Sequence, residues 1–205
     1  IPTVNEKEGL QPKENHLTGN FGYCDRFASD TLDIRWMFLR NPSDFYTLDG
    51  KGLALHAKPV NISQKESPSA LFARQQHHTF TAETEVTFTP RSAKELAGFT
   101  LLQNEEYNFV FGKKLVGGKP ALTLTRSEKE TVRISTVFLD EKETAAPVKL
   151  KICGKGRYYD FYYSTGSHWM LMARGVDAVN LSTNRSGGFI GACIGLYATS
   201  DNPSR

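Results

Sequence analysis

The chain has 205 residues, with 39% hydrophobic, 23% charged and 11% aromatic content, a balance that supports a substantial core and excludes a disordered, collagen-like or coiled-coil chain. Twenty-five Lys and Arg face 22 Asp and Glu, and the net charge of +3 is spread along the chain; its densest basic runs, Lys113-Lys114 and residues 149–157, are broken by apolar residues. Nucleic-acid binders gather their cations on one face, so nucleic acid is not expected as a partner, and neither is a membrane, because no stretch approaches the ~20 apolar residues of a spanning helix.

Residues 1–22 read as a linker: the first twenty hold two prolines, three glutamates and two lysines, with little apolar content. They contain no apolar signal-peptide core, but the chain does not begin with Met, so a leader can have been removed. The compartment stays open, with a periplasmic or secreted location favoured.

From Tyr23 onward the hydrophobic period is two, and residues 23–205 read as one sandwich domain. In residues 78–89, Phe80, Ala82, Thr84, Val86 and Phe88 share one face, while Thr79, Thr81, Glu83, Glu85 and Thr87 share the other. Residues 99–103 and 107–113 follow as a hairpin around Asn104-Glu105-Glu106. Leu122 and Leu124 alternate with Thr123 and Thr125; Ile134, Thr136 and Phe138 with Arg133, Ser135 and Val137; Val148, Leu150 and Ile152 with Lys149 and Lys151. Tyr159, Phe161 and Tyr163 alternate with Tyr158, Asp160 and Tyr162, and a further run covers residues 168–173. Residues 188–199 are apolar on both faces, as in a central strand. No convincing amphipathic helix is present; residues 93–97 can make one turn. Many short strands between Gly, Pro, Asn and Ser turns predict a β-sandwich or barrel, and no fixed-period repeat points to a propeller or solenoid.

Little in the pattern points to catalysis. Glu83 and Glu85, two apart on one strand, share a face as a glycosidase carboxylate pair must, but their neighbours are threonines and nothing marks a cleft. His77 and His78 are adjacent, so on a strand they point to opposite faces and cannot both bind one metal. Asp25, Asp30 and Asp33 cluster near the start and are candidate calcium ligands; turns use Asp as well. There is no Gly-x-Ser-x-Gly, and Gly154-Lys155-Gly156 is too short for a phosphate loop. Cys24, Cys153 and Cys193 have no zinc spacing and read as free thiols, with one disulfide open in an oxidising compartment. Asn61, Asn180 and Asn184 stand in sequons that matter only in a glycosylating pathway.

Aromatics are the abundant resource. Trp36, Tyr158 and Tyr162 are candidate carbohydrate contacts, because aromatic faces pack against the C–H faces of sugars. Tyr158 and Tyr162 share a strand face with Asp160. Trp169 and Phe161 are expected in the core.

The run "LFARQQHHTFTAETEVTFTPRSAKELAGFTLLQNEEYNFVFG", residues 71–112, resembles the C-terminal concanavalin A-like domain of glycoside hydrolase family 43 β-xylosidases. The resemblance rests on Ala73-Arg74, the Phe-x-Ala-Glu-Thr strand at 80–84, the Phe-x-Pro end at 88–90 and Ala97-Gly98-Phe99. "RWMFLRNP" (35–42), "GKGLALHA" (50–57), "YDFYYSTGSHW" (159–169) and "GFIGACIGLYAT" (188–199) extend it over nearly the whole chain.

The resemblance implies an all-β, two-sheet antiparallel jelly-roll sandwich of concanavalin A-like type. It also implies a role: an accessory domain of a family 43 enzyme of the β-xylosidase or α-L-arabinofuranosidase type, acting on xylo- or arabino-saccharides. The partner it implies is an N-terminal five-bladed propeller catalytic domain carrying two Asp and one Glu for inverting hydrolysis. None of those three transfers to a position in this chain, so no catalytic residue is assigned and the chain alone is expected to be inactive. What transfers is an aromatic that helps wall the propeller's sugar pocket; it matches Phe189, and Gly187, Gly188 and Gly191 beside it permit close backbone approach. The family's closing strand after the Asp-rich loop has no match in residues 201–205, so the chain reads as a fragment at both ends. The rival readings are an autonomous carbohydrate-binding module and a self-sufficient hydrolase using Glu83 and Glu85.

Overall fold

A computed structural model describes residues 22–41, 44–188 and 191–202. Phe189 and most of the expected linker lie outside the described residues.

Three short strands open the fold, β1 (Met37–Phe38), β2 (Tyr46–Leu48) and β3 (Leu53–Leu55). The body follows as β4 (Ser69–Arg74), β5 (Thr79–Val86), β6 (Leu96–Asn104), β7 (Tyr107–Val116), β8 (Lys119–Glu128) and β9 (Glu130–Phe138). A five-residue helix, α1 (Glu141–Ala145), leads to β10 (Val148–Lys155), β11 (Tyr158–Ser164) and β12 (Met170–Asp177). A 3-10 turn (Val179–Leu181) and α2 (Thr183–Ser186) precede β13 (Cys193–Thr199). The named strands pair antiparallel in a seven-stranded sheet, β1-β4-β13-β6-β7-β8-β9, a four-stranded sheet, β12-β11-β10-β5, and the β2-β3 ribbon. This is the expected antiparallel β-sandwich, with β13 between β4 and β6 as its two apolar faces require.

The main core lies between the two large sheets. Phe99, Leu101, Phe109, Phe111, Leu122 and Leu124 meet Val148, Leu150, Ile152, Tyr159, Phe161 and Tyr163. These are the apolar members of each period-two pattern, and each buried aliphatic or aromatic side chain contributes about 1.5–3 kcal/mol. A second cluster covers part of the seven-stranded sheet's outer face, where Met37, Leu39 and Ile62 pack on Phe72, Leu102, Val110 and Tyr197. The Ile62 N–H donates to the buried Tyr197 hydroxyl at 3.1 Å, pinning this cover to β13.

Two cross-strand glycines show how the register is fixed. Phe72 lies over its partner Gly195, and Phe80 over its partner Gly154; a Cβ at either glycine would overlap the ring.

The structure corrects several expected boundaries. β5 spans Thr79–Val86, shorter than 78–89, because its partner β10 begins at Val148, just after Pro147, which has no N–H for the ladder. Within residues 93–97 only 93 and 94 form a turn, and β6 begins at Leu96. α1 arises from a capping box: the Glu143 N–H donates to Asp140 Oδ1 at 2.8 Å, and the Asp140 N–H to Glu143 Oε2 at 2.9 Å. Pro147 then forces Ala146 into extended backbone and ends the helix. Lys113 is 1% exposed and turns inward, donating from Nζ to the carbonyls of Glu143, Thr144 and Ala146 at 3.2, 2.6 and 3.2 Å. It therefore serves the end of α1, and only Lys114 of that basic pair faces outward.

Candidate functional site

A shallow, open cleft of about 630 Å³ lies at one end of the four-stranded sheet. Its walls come from four connections: Gln75, His77 and His78 before β5, the Gly156-Arg157 turn, Leu181 after β12, and Ala192 before β13. The Tyr159 hydroxyl reaches it from β11 and donates to Gln75 Oε1 at 3.0 Å; burial raises its pKa. Phe80 holds the Tyr159 ring edge-to-face at 5.2 Å. The Gly156 N–H donates to the His78 carbonyl at 2.8 Å, and the Ala178 N–H to the Arg157 carbonyl at 2.9 Å. Arg157 donates to both carboxylate oxygens of Asp177, from Nε to Oδ1 at 2.7 Å and from a terminal nitrogen to Oδ2. That bond first, with further help from the Val179 N–H, lowers the Asp177 pKa to about 2.

His77 and His78 precede the strand, and both line the cleft, so the expectation that they diverge from a strand does not hold. Gly187, Gly188 and Gly191 all have positive φ, at 72°, 77° and 75°, a backbone that glycine adopts without strain. Gly191 lines the cleft beside Ala192. The residues flanking position 189 therefore hold backbone that favours glycine, and Gly191 lies at the cleft wall.

The predicted aromatics occupy different places. Tyr158 and Tyr162 stand on the outer face of β11, where Tyr158 is 53% exposed. Tyr162 donates to Asp160 Oδ2 at 3.4 Å, and its pKa is raised by desolvation and then by that carboxylate. Lys151, its cross-strand partner, holds its ammonium 5.2 Å from the Tyr162 ring centroid and 4.0 Å from that of Trp169. Trp169 is thus half-buried on this outer face and not in the core, because it sits in the connection before β12 and not on an inward strand position. Phe161 is fully buried, as expected.

Trp36 belongs elsewhere, just before β1 of the other sheet. Its Nε1 donates to Asp25 Oδ2 at 2.7 Å, and Phe27 packs on it at 5.3 Å. Asp25 also accepts from the Phe27 N–H and the Tyr23 hydroxyl, while Asp33 accepts from the Arg35 N–H. These carboxylates are engaged in local turns, and among the described residues no three His, Cys, Asp or Glu side chains cluster so as to hold a metal ion.

Glu83 and Glu85 lie exposed on the outer face of the edge strand β5. Each faces a lysine of β10: Lys151 at 3.8 Å and Lys149 at 4.0 Å. Neither lines the cleft. Cys24 is exposed, Cys153 half-buried and Cys193 buried, all as free thiols. Asn180 is 1% exposed and donates to the Ser127 carbonyl at 3.0 Å, which removes that sequon as an acceptor.

The fold is an antiparallel two-sheet sandwich with a cleft at one end of its four-stranded sheet. A family model described as the beta xylosidase C-terminal concanavalin A-like domain matches residues 24–205, and the chain belongs to that family. It is 29% identical over 185 residues to a xylosidase/arabinosidase of Butyrivibrio fibrisolvens, covering 85% of this chain and 34% of that protein. It is 27% identical over 178 residues to the non-reducing end alpha-L-arabinofuranosidase BoGH43B of Bacteroides ovatus, covering 85% of this chain and 33% of the other. Among solved structures, a GH43_12 protein retrieved from a capybara gut metagenome superposes with a TM-score of 0.82 at 30% identity, covering 89% of this chain and 35% of that one. The chain thus spans about a third of the length of these relatives.

Proposed function

We propose that this chain is the accessory sandwich of a family 43 glycosidase acting on β-xylosides or α-L-arabinofuranosides. In this reading it supports an N-terminal five-bladed propeller and offers Phe189 to the wall of the propeller's sugar pocket. The observation that carries the proposal is the family match over residues 24–205, combined with relatives three times as long that are xylosidases and arabinofuranosidases. The cleft supports it locally. Positive-φ glycines flank position 189, and Gln75, His77 and Tyr159 supply polar groups beside the buried Leu181, a mixture suited to an inter-domain contact.

The test is hydrolysis of aryl β-xyloside and aryl α-L-arabinofuranoside by this chain and by a protein that adds its native flanking sequence. Activity is expected only in the longer protein, with Phe189→Ala there lowering kcat/KM by about tenfold or more. Activity in the 205-residue chain would overturn the accessory role. Full activity in the Phe189→Ala protein would overturn the role of that residue.

One arrangement favours a second reading, an autonomous carbohydrate-binding module. Tyr162 and Trp169 share the Lys151 cation on one sheet face, and Tyr158 is exposed on the same face. Inactivity of both proteins together with calorimetric binding of xylo-oligosaccharide, lost in Trp169→Ala, would select it.

A further inference from the structure

Residues 23–36 lead into β1 and form a heavily braced platform. Asp25 accepts three hydrogen bonds within it: from the Phe27 N–H at 2.7 Å, from Trp36 Nε1 at 2.7 Å and from the Tyr23 hydroxyl at 3.0 Å. The Arg35 guanidinium lies 3.9 Å from the centroid of the Tyr23 ring. Phe27, at φ 52°, holds a left-handed backbone that a bulky residue rarely adopts, and its ring packs on Trp36 at 5.3 Å. The Trp36 N–H donates to the Asp33 carbonyl at 3.0 Å and closes a tight turn, with Ile34 and Arg35 at its corner.

What this platform holds out is Ile34. Its side chain is 87% exposed, the highest value for a large hydrophobic among the described residues. Turn corners favour Gly, Pro, Asn, Asp and Ser, so the turn itself gives no reason for a β-branched apolar residue there. A lone exposed apolar side chain is ordinary on a surface. This one stands on a fixed base that also carries Tyr23, itself 40% exposed. A base already ordered loses little freedom on binding, which is the condition for an anchor residue in an interface.

The register places this anchor. β1 pairs antiparallel with β4, Met37 with Phe72 and Phe38 with Leu71, so the residues before Met37 run past the end of β4 at Arg74. There β4 leads into Gln75 and the cleft, and β13 enters from Gly191 and Ala192, with Cys193 paired to Arg74. Paired strands lie about 5 Å apart. The Ile34 turn and the cleft therefore share one end of the sandwich.

We infer that the Ile34 turn is a second docking point for the catalytic domain, with Ile34 filling an apolar socket on that domain and Tyr23 closing the contact beside it. The inference rests on the accessory reading. The matched family is described as a C-terminal domain, and this chain covers about a third of its relatives, whose remaining length supplies the partner. The polar groups of Tyr23, Asp25 and Trp36 bond to one another, which leaves few for sugar hydroxyls and fits an apolar protein surface better. Continuity with the cleft selects the catalytic domain over a second copy of this chain.

The test is the alkylation rate of single introduced cysteines, in a Cys24→Ser background, in the 205-residue chain and in the protein that adds its native flanking sequence, read by mass spectrometry of labelled peptides. Ile34→Cys should label about tenfold or more slower in the longer protein, as in a contact that is closed most of the time. Asn184→Cys, at the cleft, should slow with it. Lys119→Cys, at the opposite end of the sandwich, should label equally in both proteins. Amide exchange of residues 33–36 in the unsubstituted proteins, slower in the longer one, guards against a cysteine that itself loosens the contact. Equal labelling and equal exchange at this turn in the two proteins overturn the inference. If the longer protein hydrolyses its glycoside and protects Asn184→Cys alone, the inference falls and the accessory reading stands. Protection that grows with concentration in the 205-residue chain would make a second copy the occupant and overturn it equally.

Discussion

Asp177 closes one end of the four-stranded sheet. It sits where β12 ends, accepts two bonds from Arg157 in the β10-β11 turn, and accepts the Val179 N–H that starts the following 3-10 turn. Its pKa falls from 3.8 to about 2, chiefly through the Arg157 bond. A carboxylate whose folded pKa lies below its unfolded value stabilises the fold at every pH above the unfolded value. That contribution is lost as pH falls from about 4 to about 2. Asp177→Asn should therefore lower the melting temperature modestly at pH 7, since the pair is solvent-exposed, and the gap to the parent should close by pH 2. Thermal unfolding of both proteins across this range checks it; a gap that persists unchanged at pH 2 would show that the charge is not the source. The same residue holds Arg157, and so shapes the cleft wall as well as the sheet end.

At the level of elements, the approach of β6 to β7 rests on two glycines paired in register, Gly98 and Gly112. A Cβ on Gly98 would stand 2.3 Å from the Phe111 carbonyl oxygen and 2.5 Å from the Gly112 Cα, both backbone atoms that cannot swing away. Gly98→Ala should cost roughly 1–3 kcal/mol, toward the upper end. Gly52→Ala, where nothing lies within 4 Å and φ is ordinary, should change stability by less than about 0.5 kcal/mol. Urea unfolding of both reads the difference, and equal midpoints would refute the close approach. Strands such as β5, β10 and β11 are legible in the sequence because one face meets the core and the other water, so alternation survives. The antiparallel pairing of β6 with β7 is legible too, in Asn104, whose side chain accepts the N–H groups of Glu106 and Tyr107 at 3.0 and 3.1 Å. α1 was hidden by its length: five residues show no amphipathic period, and only the Asp140–Glu143 spacing marks it. The outward position of Arg133 was hidden for a different reason: a bulge between Leu124 and Thr125 pairs it with Thr125, against the alternation on which a sequence reading depends. The histidines beside the cleft were visible as a pair, but their setting depends on where β5 begins, at Thr79 opposite Lys155 at the far end of β10, and that pairing lies between strands distant in sequence.

For the whole molecule, the decisive contact is sheet on sheet. Phe161 of the four-stranded sheet is fully buried and meets two rings of the seven-stranded sheet, Phe109 at 5.9 Å and Phe111 edge-on at 5.6 Å. Around them close Leu124, Leu150 and Ile152, each at most 1% exposed, so a smaller side chain at 161 cannot be compensated from either sheet without moving a strand. Phe161→Ala should then lose about 3–5 kcal/mol, the transfer of a ring plus the cavity it leaves. Phe161→Leu keeps most of the volume and should lose clearly less. If the two sheets form one cooperative unit, both variants lower the urea midpoint while the slope of free energy on urea stays that of the parent. The alternative is a loose sandwich, in which the four-stranded sheet releases first. Tryptophan fluorescence distinguishes the two, because Trp169 lies on the four-stranded side and Trp36 beside the other sheet. Single replacements of each tryptophan report the sheets separately: coincident transitions in Phe161→Ala support one unit, and a Trp169 signal that melts ahead of Trp36 refutes it. The outcome bears on function, because the cleft draws its walls from β11, from the turn that follows β12 and from the entry to β13. It can present a fixed surface to a neighbouring domain only while both sheets hold together.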